Sequence, residues 1–136
     1  MRVMKRESWL TAAPESAPRA RALVREAAAE HGLGGEATWD LMLATSEAVA
    51  NAILHGSDCG APSRGVLLII EASDDCLSVE VCDCGSFDTD LRPASQYDIG
   101  GRGIPIIAAV ADHFELLPDA HQTRVRFGKR LQAAAV

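Results

Sequence analysis

The stretch WDLMLATSEAVANAILHG, Trp39 to Gly56, decides how the chain is read. Leu41, Met42, Val49, Ala52 and Ile53 form one apolar sector of a helix, while Glu47, Asn51 and His55 recur at intervals of four. At about 3.6 residues per turn, that interval stacks the three polar side chains in a stripe beside the core-facing sector. A carboxamide next to a carboxylate suits a hard cation such as Mg²⁺ together with a proton-accepting group. Taken alone, the stripe reads better as a solvated helix edge. The residues downstream change that balance.

Around this helix the composition sets limits. A chain of 136 residues is expected to form one domain, residues 1–136, with a core large enough to need neither metal nor disulfide staples. Apolar residues at 48% and charged residues at 24% place it among soluble globular chains. A net charge of −6 with only two lysines, Lys5 and Lys129, argues against nucleic acid or an anionic membrane as partner, because both require clustered cations. Neither a signal-peptide core nor an apolar run of membrane-spanning length is evident, so a cytoplasmic protein is expected. Cys59, Cys76, Cys82 and Cys84 are then expected as free thiols. No Cys/His pair at finger spacing accompanies Cys82-Asp83-Cys84, which speaks against structural zinc.

In chain order, residues 5–12 read as a first strand closed by Pro14. Ser16 reads as the N-cap of a helix with Ala20, Leu23, Val24, Ala27 and Ala28 on its buried side and Gly32 as its stop. Arg19, Arg21, Arg25 and Glu30 read as its solvated face. After a turn at Gly32–Gly35 comes the key helix, then a Gly-, Ser- and Pro-rich loop from Ser57 to Gly65. Val66–Ile70 reads as a strand. The next strand alternates: Leu77, Val79 and Val81 face one way, Ser78 and Glu80 the other, and the count puts Asp83 on the apolar side. A carboxylate there needs a polar partner, since burial without one costs several kcal/mol. Residues 86–99 read as a loop opening through Gly100-Gly101-Arg102-Gly103 into an apolar helix that tolerates Pro105 in its first turn. Amides at such a helix start make an anion site. Two last strands, Phe114–Leu117 and Thr123–Leu131, complete an α+β chain. One wet face on alternating strands implies a two-layer sandwich, a mixed, mainly antiparallel sheet covered by helices on one face.

Three polar spots therefore recur: Glu47-to-His55 on the second helix, Asp83-Cys84-Gly85 at a strand end, and Gly100-Gly101-Arg102-Gly103 at a helix start. Together they resemble the Bergerat-fold (GHKL, histidine-kinase-like) ATP-binding superfamily, and within it the small bacterial anti-sigma factor serine/threonine kinases. Ser46-Glu47-Ala48-Val49-Ala50-Asn51-Ala52-Ile53-Leu54-His55 looks like the Asn-containing box, Val81-Cys82-Asp83-Cys84-Gly85 like the first Gly box, and Gly100-Gly101-Arg102-Gly103-Ile104 like the second.

The resemblance implies ATP and Mg²⁺ as cofactors. Asn51 would coordinate the Mg²⁺, Asp83 would accept the adenine amino proton, and Gly85, Gly101 and Gly103 would let backbone approach base and phosphates. Arg102 would meet phosphate charge, with a solvated loop arginine as the equal alternative. Glu47 would act as general base toward a Ser or Thr hydroxyl. His55 would buttress the helix end. The implied function is an anti-sigma factor and protein serine kinase, usually a homodimer, that binds a sigma factor and phosphorylates an anti-anti-sigma antagonist. Between Gly85 and Gly100 only Arg92 is cationic, among Asp88, Asp90 and Asp98. That thin charge stabilisation leaves open an ATP-binding module that regulates by contact alone. A detached half of a histidine kinase is weakened by the lack of a helix pair bearing a phosphoacceptor histidine.

Overall fold

The computed structural model describes residues 4–56, 65–83, 103–118 and 123–131. Its elements are β1 (Met4–Leu10), α1 (Ser16–Glu30), α2 (Gly35–Gly56), β2 (Val66–Ala72), β3 (Cys76–Asp83), α3 (Gly103–Val110), β4 (His113–Pro118) and β5 (Thr123–Arg130). The five strands form one sheet in the order β1-β2-β3-β5-β4, with every neighbouring pair antiparallel. The helices cover one face: α2 lies on β2, β3 and β5 and is flanked by α1 and α3. This is the expected α+β sandwich, and the sheet is antiparallel throughout its described strands. Among the described residues no helix is long and apolar enough to cross a membrane.

The core lies between α2 and the inward parity of the strands. Leu68 of β2, Leu77, Val79 and Val81 of β3, and Phe127 of β5 meet Leu41 and Val49 of α2 and Ile107 of α3, all at 1% exposure or less. Each such side chain contributes about 1.5–3 kcal/mol on burial. Met42 and Ile53 of α2 are only partly buried against this cluster.

Local signals explain most boundaries. Gly32 ends α1 in the left-handed region at φ 73°, with Leu33 N–H donating to Ala28 O at 2.9 Å and Gly32 N–H to Ala29 O at 3.4 Å. These are the two bonds of a Schellman ending. At the other end of α1, Ser16 is not the N-cap. Glu15 holds that place without a side-chain cap bond. Ser16 is buried, and its hydroxyl donates to Thr11 O, strapping the helix start to the end of β1. The solvated reading of the α1 face fails at Arg21, whose Nη1 donates to Ser46 Oγ of α2 at 2.9 Å, while Glu30 stays exposed and pairs with Arg6 of β1 at the surface. Finally, α2 starts at Gly35, the last residue of the expected turn, with Gly34 O accepting the Thr38 N–H at 2.8 Å.

Gly65 opens β2 at φ 80°, and a Cβ there would collide with the Leu10 carbonyl. Gly65→Ala should therefore lower unfolding free energy by at least about 1–3 kcal/mol in urea titrations. Gly35→Ala, at a helical position with open space around the Cβ, should be neutral or stabilising.

Candidate functional site

One lysine fixes the direction of the helix layer. Lys129 continues the inward parity of Val125 and Phe127, and its ammonium lies 3.2 Å from Asp40 Oδ2 in the second turn of α2 and 3.8 Å from Asp112 Oδ1. It also donates to the carbonyl of Val110, the last residue of α3, at 2.8 Å. The start of α2 and the end of α3 thus both sit over the Lys129–Leu77 pair of the sheet. Six residues along β5, Thr123 pairs with Asp83, which at about 3.3 Å per residue is roughly 20 Å away. From Asp40 to Asn51, α2 advances about 16 Å toward that end, and α3 points its first residue, Gly103, the same way. The chain leaving α2 re-enters the sheet there as well, since Leu67 pairs with Cys82. The C-terminal half of α2, the start of α3 and the Asp83 end of β3 therefore share one end of the layer.

Glu47 and Asn51 are both half-buried, bordering the fully packed Ala44 and Ala48. Successive steps of four drift about 40° around a helix, so Asn51 stands closer to the packed face than Glu47. Asp83 is 8% exposed, in line with Leu77, Val79 and Val81 on the helix side of β3. The expected inward carboxylate is there. Gly103 opens α3, with Pro105 in the first turn, where no intrahelical N–H is needed. Gly85, Gly101 and Arg102 lie outside the described residues, as do Cys84, Arg92 and the side chain of His55.

This end of the domain thus presents a buried acceptor, a carboxamide one turn from a carboxylate, and a helix N-terminus. A cavity of about 680 Å³, lined by Gly34, Glu36, Asp40, Asp112 and Lys129 among others, lies at the other end of α2. Lys129, Asp40 and Asp112 pair with one another on its wall. Reading the residues missed Lys129, although its shared parity with Thr123, Val125 and Phe127 was visible. It also missed Arg21, whose partner is in another helix.

A helix-covered antiparallel sheet with Glu47, Asn51 and Asp83 toward one end of the helix layer is a framework on which an α+β domain can hold a ligand. The family model described as histidine kinase-like ATPase domain matches residues 10–129. The chain belongs to that family, within the GHKL superfamily. Among solved structures it is similar to the RsbU and RsbW domains of Rv1364c from Mycobacterium tuberculosis, with a TM-score of 0.73 at 23% identity. That match takes in 98% of this chain but 34% of the other, so the chain spans about a third of that protein's solved length. At such identity the likeness concerns the fold. No curated protein sequence matches the chain.

Two expectations follow from the Lys129 clamp. Lys129→Met should cost about 1.5–3 kcal/mol in urea unfolding, the worth of a hydrogen-bonded charge. Asp112 is held below 3.8 chiefly by the Arg130 N–H, which donates to Oδ2 at 2.7 Å, with Lys129 adding to it and desolvation opposing. A depressed carboxylate stabilises the fold above its unfolded value and loses that contribution as pH falls through the folded one. The stability gap between the parent and Asp112→Asn should therefore close as pH is taken below 3.8.

Proposed function

We propose that the chain is an ATP-dependent protein serine kinase that also captures a sigma factor and phosphorylates an anti-anti-sigma antagonist. The observation that carries this reading is the family match over residues 10–129 coinciding with Glu47, Asn51 and Asp83 at one end of the helix layer. The partners rest on the resemblance of the Asn box and the two Gly boxes to the anti-sigma kinases. We take the chain as one domain over residues 1–136, acting in the cytoplasm as a homodimer.

The residues suit Mg-ATP by their chemistry. Asp83, buried at a strand end, is an acceptor for the exocyclic amino group of adenine. The Asn51 carboxamide oxygen is a hard donor of the kind Mg²⁺ takes alongside phosphate oxygens. Gly103 at the start of α3 offers helix-terminal amides to an anion, Gly101 and Arg102 would extend that contact, and Gly85 would let the backbone approach the base. When bound, Mg-ATP supplies the phosphoryl group and the neutralising charge. Glu47, one turn before Asn51, accepts the proton of the incoming serine hydroxyl, and its half-buried place orients that hydroxyl. The second reading, an ATP-binding regulator without transfer activity, is favoured by one feature. The acidic stretch between Gly85 and Gly100 holds a single cation, Arg92.

Calorimetric titration and labelled-phosphate transfer separate these readings. Asn51→Ala should abolish Mg²⁺-dependent ATP binding. Glu47→Ala should bind ATP nearly as the parent does and transfer phosphate roughly 10²–10⁴-fold more slowly. Transfer by Glu47→Ala at the parental rate removes Glu47 from the base role. A parent that binds ATP yet labels no serine on any antagonist-like protein is the regulator of the second reading.

A further inference from the structure

The face of the sheet away from the helices carries groups that nucleotide chemistry does not use. Cys76, Ser78, Glu80 and Cys82 of β3 point there, opposite in parity to Leu77, Val79 and Val81. Cys76 Sγ lies 3.0 Å from Nε2 of His113, and Ser78 Oγ lies 3.4 Å from both atoms. His113 belongs to β4, and β5 runs between it and β3. The imidazole crosses that gap of roughly 10 Å because the β5 residue between Ser78 and His113 is Gly128. A Cβ on Gly128 would strike the His113 ring and stand 2.7 Å from Leu77 O. A missing side chain in the middle strand thus seats a base against a thiol two strands away.

We infer that Cys76 is a reactive thiol activated by His113, and that the pair is a site of reversible oxidation by hydroperoxides on the outer face of the sheet. The thiol proton passes to His113 Nε2. The thiolate attacks one oxygen of hydrogen peroxide, the S–O bond forming as the O–O bond breaks. The departing hydroxide takes the proton from Nε2 and leaves as water. Sulfur loses two electrons and becomes a sulfenic acid, the peroxide gains them, and a thiol reductant reverses the change. Ser78 braces the sulfur and the ring. Among the described residues no third His, Cys, Asp or Glu joins the pair to make a metal cluster.

The same strand contains its own control. Cys82 is buried, and its thiol is pushed up to about 12, first by burial and then by Glu80, to whose Oε2 it donates at 3.4 Å. Cys76 faces an imidazole where Cys82 faces a carboxylate. The other charged groups around Cys76 and His113 are Arg130 opposite Cys76, Glu71 opposite Ser78, Asp75 in the preceding turn, and Asp112 and Glu115 beside His113. Asp83 is seven residues up β3, about 23 Å away, on the opposite face. The inference is therefore independent of the nucleotide reading.

The test uses the whole reduced chain, with hydrogen peroxide and dimedone trapping in one arm and iodoacetamide in the other, each cysteine followed by peptide mass spectrometry. Cys76 should react at least about tenfold faster than Cys82, and faster than Cys76 itself in the urea-unfolded chain. His113→Gln, checked for native circular dichroism, should slow Cys76 about tenfold and leave Cys82 unchanged. The inference is overturned if Cys76 in the folded parent reacts no faster than in urea, a comparison that needs no variant to fold. It is equally overturned if a folded His113→Gln keeps the parental Cys76 rate.

Discussion

The ammonium of Lys129 is the fixed point of the helix layer. Three groups from three segments converge on it: a carboxylate near the start of α2, the carbonyl that ends α3, and Asp112 just beyond. An ammonium this enclosed must keep its partners, because a buried charge without them costs several kcal/mol. Those partners dictate where α2 begins and where α3 ends. Once these ends are pinned over Leu77 and Lys129, the rise of the helices carries Asn51 and Gly103 to the far end, where β3 stops at Asp83. The candidate site is positioned by an interaction some 20 Å from it.

Much of this was legible because it is periodic. Alternation along β3 places Asp83 inward, and steps of four along α2 place Glu47 and Asn51 at the margin of a buried face. Both are local counts, and local geometry enforces them. What escaped the count was what depends on distant partners. Ser16 carries the chemistry of a helix cap, but the end of β1 lies close enough to claim its hydroxyl. Arg21 sits on the polar side of α1, and only the packing of α1 on α2 turns it toward Ser46. Lys129 stands in the sequence with no sign of its partner, because Asp40 lies 89 positions earlier.

The outer face shows the limit most clearly. Strict alternation predicts a wet surface there, yet Ser78, Cys82 and Ile69 are buried. Cys82 and Ile69 lie in rows of cross-strand neighbours: Trp9, Leu67, Cys82, Arg124 and Leu117 in one, and Glu7, Ile69, Glu80, Arg126 and Glu115 in the next. Long side chains flank the shorter ones in these rows, and a face without a helix layer still has buried residues. Glu80 is held between Ile69 and Arg126 in such a row and meets the Cys82 thiol from it.

Gly128 ties this face to the rest of the domain. Its neighbour Lys129 points inward to clamp the helices, while Gly128, at the opposite parity, leaves the space across which His113 reaches Cys76 and Ser78. The Gly128 carbonyl also accepts the Asp112 N–H at 2.9 Å, so the chain entering β4 is held where its histidine must cross. Two consecutive residues of β5 thus serve opposite faces, one by its charge and the other by its lack of a side chain. A larger residue at 128 would displace the imidazole and press on Leu77 O, part of the backbone of the central strand. The outer-face pair and the helix clamp therefore depend on the same short piece of β5, even though their side chains never meet.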